Sequence, residues 1–160
     1  ILHLAIHFPE KFKALIGLQS AGHIDPYYDI SWLHRQDVHG GEVCGGIAYG
    51  LMAPTSPDND KFETMWHYMQ GGPGIFKGDL FFYKFDGNIG NEIKKIDNSK
   101  CPIYLLTGEY DYSATPEETK SLADTIGIQM IKMKNVGHFP MSENPEEFLK
   151  YLHPILEKIN

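Results

Sequence analysis

Val136-Gly137-His138-Phe139-Pro140-Met141-Ser142-Glu143-Asn144-Pro145 joins a short β-like run, Gln129 to Lys132, to a terminal helix carrying Phe148, Leu152, Ile155 and Leu156 on one face. One element earlier, the apolar run Pro102-Ile103-Tyr104-Leu105-Leu106-Thr107 has the length and content of a strand, and Gly108-Glu109-Tyr110-Asp111 follows it directly. Glu117 to Ile126 then reads as a helix, with Pro116 at its start and Gly127 at its end. Strands alternating with helices of this length imply a parallel sheet with right-handed crossovers. Asp111 and His138 therefore fall on consecutive strand-end loops. A carboxylate and an imidazole so placed are two members of a nucleophile–base–acid triad.

Toward the N-terminus the same alternation continues. Ile1-Leu2-His3-Leu4-Ala5-Ile6-His7-Phe8 is helix-periodic through Leu4, Ala5 and Phe8, and Pro9 ends it. Ala14 to Gln19 is a short apolar run of the kind found in buried parallel strands. The opening in mid-helix, with no capping residue ahead, suggests the C-terminal part of a longer chain. Between residues 25 and 98 the character changes: both Trp residues and most of the Gly lie here, with breakers at Ala53-Pro54-Thr55-Ser56-Pro57 and Gly71-Gly72-Pro73-Gly74. Glu42 to Met52, Lys61 to Gln70 and Ile75 to Phe85 read as helices, and Ile89 to Ile96 as a short helix leading to the next strand. Three segments result: a helix and strand over 1–24, a helical insertion over 25–98, and a β-α-β-α segment over 99–160.

Composition narrows the function classes. With 42% apolar and 12% aromatic residues, the chain of 160 can bury one core. A net charge of −7 argues against nucleic acid or an anionic membrane as partner, because both call for a basic face. Cys44 and Cys101 cannot make a disulfide framework and stand at no metal-ligand spacing, so a reduced, cytoplasmic setting is the expectation. No apolar run approaches the roughly 20 residues a spanning helix needs.

In order along the chain, four features resemble the C-terminal half of an α/β-hydrolase. Leu4-Ala5-Ile6-His7-Phe8-Pro9-Glu10-Lys11-Phe12 is similar to the end of the helix after the family's nucleophile elbow, and Ala14 to Ser20 to the strand after it. Gly108-Glu109-Tyr110-Asp111 resembles the acid loop, and Gly137-His138-Phe139-Pro140-Met141 with Glu143 and Pro145 the histidine loop. The section between them sits where the family inserts its helical cap. The resemblance implies a partial α/β-hydrolase fold, with Asp111 as acid, His138 as base and the nucleophile about 5–8 residues before Ile1 on a G-x-S-x-G turn. Pro116 follows five residues after Asp111 where many members have four, and some relatives take the acid from the preceding loop, where this chain offers Asp25.

No residue of the chain replaces the nucleophile. Ser20, Ser31, Ser56, Ser99, Ser113, Ser121 and Ser142 all lie outside G-x-S-x-G. Cys44, in Gly41-Glu42-Val43-Cys44-Gly45-Gly46, has Glu42 where an elbow needs Gly and no strand ahead of it, so it reads as a buried cap cysteine. His3 and His7 share one helix face at i, i+4, but without a Glu between them or an evident third ligand they read as an exposed face, and neither metal nor cofactor is expected. His34, His39 and His67 lie in the aromatic insertion beside Trp32, Trp66, Tyr68, Met69, Phe81 and Phe82, which either roof an apolar pocket for a small hydrophobic ester or pack the insertion onto the sheet. The 14–19 strand, left at an edge, would seek a second copy or the missing N-terminal half. The chain alone is expected to be inactive. The alternative is a hydrolase fold kept for binding or scaffolding.

Overall fold

The computed structural model describes residues 1–23, 29, 40–71 and 74–159. Its centre is a three-stranded parallel sheet in the order β1-β2-β3, with β1 at Leu15–Leu18, β2 at Ile103–Gly108 and β3 at Met130–Met133. Leu15 pairs with Ile103 and Leu105 with Met130, so β2 is hydrogen-bonded on both sides. Its near-continuous apolar sequence follows from that position, since both faces of the strand are covered.

Side chains alternate across β2. Ile103 and Leu105 join Ala5, Leu15, Ile93, Ile96, Leu122, Ala123 and Ile126 on one face. Leu106 joins Met133, Val136, Phe148 and Ile155 on the other. The first face is covered by α1 (Leu2–His7) and α5 (Pro116–Ile126), the second by α7 (Pro145–Ile159). Leu105 and Leu106 are fully buried, and each contributes about 1.5–3 kcal/mol by leaving water.

Local chemistry sets the element ends. Thr115 caps α5 in a capping box: its hydroxyl accepts from Glu118 N–H while the Glu118 carboxylate accepts from Thr115 N–H. Pro116 opens that helix and Gly127 closes it in the left-handed region. Pro154 lies inside α7 without ending it. The apolar stripe of Phe148, Leu152, Ile155 and Ile159 against the sheet offsets the roughly 3 kcal/mol an interior proline costs.

Between β1 and β2 run α2 (Gly40–Gly50), α3 (Asp58–Met69) and α4 (Ile75–Phe85), followed by a 3-10 turn at Gly90–Lys95. Five glycines in α2 oppose helix formation, and close packing explains one of them. A Cβ at Gly45 would lie 2.4 Å from Met69 Cγ, so the glycine lets α3 approach. Ala48, Leu51 and Met52 make a third core with Phe139, joined by Met65 and Tyr68 of α3.

Two sequence expectations shift. The segment expected as a helix at 89–96 is the 3-10 turn, which starts at Gly90 with φ +39°. In α1 the buried residue is Ala5, with Leu2 and Ile6 packed partly beside it, while Leu4 and Phe8 face water. The six-residue helix therefore turns its i, i+3, i+4 stripe to the core one position off the expected face. No helix among the described residues is long and apolar enough to cross a membrane.

Candidate active site

Asp111 follows the C-terminal end of β2, in the loop capped by Thr115. Its side chain is fully shielded from solvent, yet both carboxylate oxygens are engaged. Oδ1 accepts from the backbone N–H groups of Ser113 at 2.8 Å and Ala114 at 3.1 Å. Asp111 is thus a turn residue that closes its own loop. Oδ2 lies 2.9 Å from Nδ1 of His138. Asp111 thus closes its own loop through one oxygen and meets His138 through the other.

His138 sits beyond β3, in the loop before the short helix α6 (Pro140–Glu143). An ionised carboxylate only accepts hydrogen bonds, so the ring proton belongs on Nδ1 and the lone pair on Nε2. No hydrogen bond occupies Nε2 among the described residues, and the side chain is 26% exposed. Phe139 stands edge-on to the imidazole at 4.9 Å between centroids, and Tyr68 of α3 packs on Phe139 at 4.9 Å.

The loops that carry this pair are fixed by groups whose role the sequence did not reveal. Glu143 is completely buried. Its carboxylate accepts from Gly137 N–H and Phe139 N–H at 2.9 Å each, and from Ala53 N–H and the Ser56 hydroxyl at 2.7 Å each. Four donors converge on this one carboxylate, and they come from both sides of His138 and from the segment between α2 and α3. The backbone adds a further tie, His138 N–H to Leu51 C=O at 3.0 Å. Gln19, just past β1 at φ +51°, donates through Nε2 to Gly137 C=O at 2.7 Å and accepts through Oε1 from Gly108 N–H at 2.9 Å. One side chain thereby links the ends of β1 and β2 to the histidine loop.

Close backbone contact explains the glycines at 108 and 137. A Cβ on Gly108 would lie 2.1 Å from Gly137 O, and one on Gly137 would lie 2.4 Å from Leu51 O. Neither contact can relax by turning a side chain, because both clashing atoms are backbone.

The other candidates separate from this pair. Asp25, Ser31, Trp32, His34 and His39 lie outside the described residues. Among the described serines none is hydrogen-bonded to His138: Ser20 bonds Leu18 C=O, Ser56 bonds Glu143 and Ser142 bonds Phe139 C=O. Cys44 is half-buried in α2, and burial pushes its thiol pKa up, the opposite of what an activated thiolate requires. Cys101 is buried and likewise raised by desolvation. Trp66, Phe81 and Phe82 are exposed on α3 and α4, and His67 is exposed beside them. The described residues also bring Glu92 to His3 and His7, the third group that the sequence did not supply.

No protein-family model matches the chain, and no curated protein matches it in sequence. Solved structures do match. A thermophilic esterase from Thermogutta terrifontis superposes with a TM-score of 0.79 at 16% identity, over 99% of this chain and 60% of its own. An enol-lactonase from Burkholderia xenovorans gives 0.78 at 13% identity, over 98% and 60%. An N-acyl homoserine lactone degrading enzyme gives 0.71 at 23% identity, over 96% and 61%. The chain has part of the α/β-hydrolase fold. It spans about 60% of the length of these structures.

Proposed function

We propose that this chain supplies the acid and the base of a serine-type hydrolase acting on carboxylic esters or related carbonyl compounds, the nucleophile coming from polypeptide outside these 160 residues. The supporting observation is the 2.9 Å contact between His138 Nδ1 and Asp111 Oδ2, with the other carboxylate oxygen held by two backbone amides. A carboxylate so held cannot swing away, and its partner ring keeps Nε2 as a base. Nε2 takes the proton of a serine hydroxyl as its oxygen attacks the substrate carbonyl. The imidazolium that forms is stabilised by Asp111, then returns the proton to the leaving oxygen as the tetrahedral adduct collapses. Water repeats the cycle on the acyl-enzyme. The esterase, the enol-lactonase and the lactone-degrading enzyme that share this fold support the substrate class.

Trp66, Tyr68, Met69, Phe81 and Phe82 belong to a cap that roofs the apolar side of the substrate. Phe139 is the link between that cap and the catalytic ring, through Tyr68 on one side and His138 on the other. Both cysteines are free, in keeping with a reducing compartment.

The missing nucleophile has a place to dock. Leu15 and Gln19 direct their N–H groups to Pro102 and Leu106 on the β2 side. Strand geometry directs those of Ile16 and Leu18 to the opposite edge, where no described strand lies. We assign that edge to the nucleophile-bearing segment, or to a second copy when that segment is absent.

The test is ester hydrolysis by the full-length gene product. Asp111→Asn is expected to lower kcat by about 10³–10⁴-fold, and His138→Ala by at least as much. The 160-residue chain alone is expected to show no turnover and to sediment above monomer mass. Full activity in His138→Ala overturns the assignment, as does turnover by the 160 residues alone.

A further inference from the structure

The helix α1 places His3 and His7 one turn apart on the same face. Their rings lie nearly parallel, 23° apart with centroids at 5.4 Å. Opposite them runs the 3-10 turn Gly90–Lys95, anchored to α1 through Ile93, which packs in the same core cluster as Ala5. That anchoring brings Glu92 to the two histidines. One ligand atom each from His3, His7 and Glu92 fall within 4.8 Å of one another.

This set has the chemistry of a metal site. Two neutral imidazoles and a carboxylate suit Zn²⁺, whose N and O bonds of about 2.0–2.2 Å place tetrahedral ligand atoms about 3.4 Å apart. Closing from the observed spacing takes side-chain rotation alone, because both histidines are exposed while Ala5 and Ile93 hold the backbones. Glu92 also meets Lys95 at 2.9 Å. Such an exposed i, i+3 pair is weakly held in water and yields readily to a divalent cation. Hard cations such as Mg²⁺ and Ca²⁺ are disfavoured, since they prefer all-oxygen shells.

We propose that His3, His7 and Glu92 form a zinc-class divalent metal site, completed by water in the fourth position. The site joins the segment entering β1 to the segment entering β2, two stretches far apart in the chain. A metal bound there favours the folded state by linkage, because the unfolded chain does not bring Glu92 to the histidines. Its position on α1 and the 3-10 turn, off the strand-end loops of Asp111 and His138, assigns it a structural role.

The experiment is titration of chelator-treated intact protein with Co²⁺, read by visible absorption, followed by displacement with Zn²⁺ and by thermal unfolding with and without Zn²⁺. One saturating equivalent is expected, with a rise in Tm that chelator reverses. His3→Ala and His7→Ala should each weaken binding by about tenfold or more, and Glu92→Gln by about three- to tenfold. His67→Ala and His153→Ala should leave it unchanged. All five positions are at or near the surface, and unaltered circular dichroism confirms that each variant folds. Three results overturn the proposal: no saturable binding up to about 0.1 mM metal, binding that survives the His3→Ala/His7→Ala pair, or binding indifferent to Glu92→Gln.

Discussion

The loops at the C-terminal ends of the strands and the helices inserted between β1 and β2 are held by different forces. Buried polar groups specify the loops. Asp111 and Glu143 place all four carboxylate oxygens on donors, and Gln19 bridges two backbones. The segment joining α2 to α3 shares those bonds through Leu51, Ala53 and Ser56, but α2 and α3 themselves meet the histidine loop through apolar contacts, Ala48 and Tyr68 with Phe139, and α3 and α4 leave Phe62, Trp66, Phe81 and Phe82 exposed. Directional bonds in a low-dielectric setting admit one geometry, whereas apolar surfaces tolerate sliding. A proton relay needs atoms held within a few tenths of an ångström, and a surface that covers substrate does not. If the proposed function holds, the polar specification falls where geometry would decide the chemistry.

Removing the centre of that network should give the largest effect. Glu143→Ala leaves Gly137 N–H, Phe139 N–H, Ala53 N–H and the Ser56 hydroxyl without their acceptor. A buried donor left alone costs about 1–3 kcal/mol, and water entering the vacated space recovers part, so a net loss of about 3–5 kcal/mol is expected. Glu143→Gln should lose about 1–3 kcal/mol, since its volume and one oxygen remain and the Ser56 hydroxyl can turn to accept. Urea unfolding of both variants measures the difference. A loss below about 1 kcal/mol for Glu143→Ala would show that the loops hold without the carboxylate, and the contrast between the two regions would fail.

A pair of glycines sharpens the contrast at smaller scale. In Gly137→Ala the new methyl meets Leu51 O at 2.4 Å and Ala53 N at 2.8 Å, so the histidine loop must move as a unit. A loss of about 2–3 kcal/mol is expected, with the activity of the complete enzyme falling alongside it. Gly78 of α4 is exposed, and a Cβ there meets nothing within 4 Å. Gly78→Ala should raise stability by about 0.5–1 kcal/mol through helix propensity and lower unfolded-state entropy. Thermal unfolding of the two variants should shift in opposite directions. Shifts of the same sign would mean that the inserted helices are as tightly specified as the loops.

The same contrast decides what the sequence could show. Asp111 and His138 were legible as loop residues because each follows a strand-length run within a few residues, so a local pattern places both on strand-end loops. The capping of α5 was written locally too, as Thr115-Pro116-Glu117-Glu118. Glu143 and Gln19 were not legible in their roles. Glu143 reaches Ala53 across 90 residues of chain, and Gln19 reaches Gly137 across 118, so no period or spacing reports either bond. Glu92 escaped for the same reason: its meeting with His3 and His7 depends on how a 3-10 turn packs on α1. The face of α1 was misjudged because a six-residue helix offers too few positions to tell whether Ala5 is buried with Leu4 and Phe8 or, as it is, with Leu2 and Ile6.

Smallest in stability, and most telling for the inserted helices, are Trp66→Ala and Phe82→Ala. Their side chains are 59% and 52% exposed, so truncation should change unfolding free energy by about 0.5 kcal/mol or less. Exposed large aromatics on successive helices are nonetheless costly to keep in water, and their retention calls for something that covers them. If they cover the acyl part of an ester, each truncation raises KM for long-chain esters several-fold, by about 1 kcal/mol of lost apolar contact. The acetyl ester should change little, and kcat should hold, because uniform binding is lost while the His138–Asp111 geometry stays. Equal effects on short and long esters would remove these residues from the substrate's path. A fall in kcat instead would mean that the inserted helices help position the catalytic ring, through Tyr68 and Phe139.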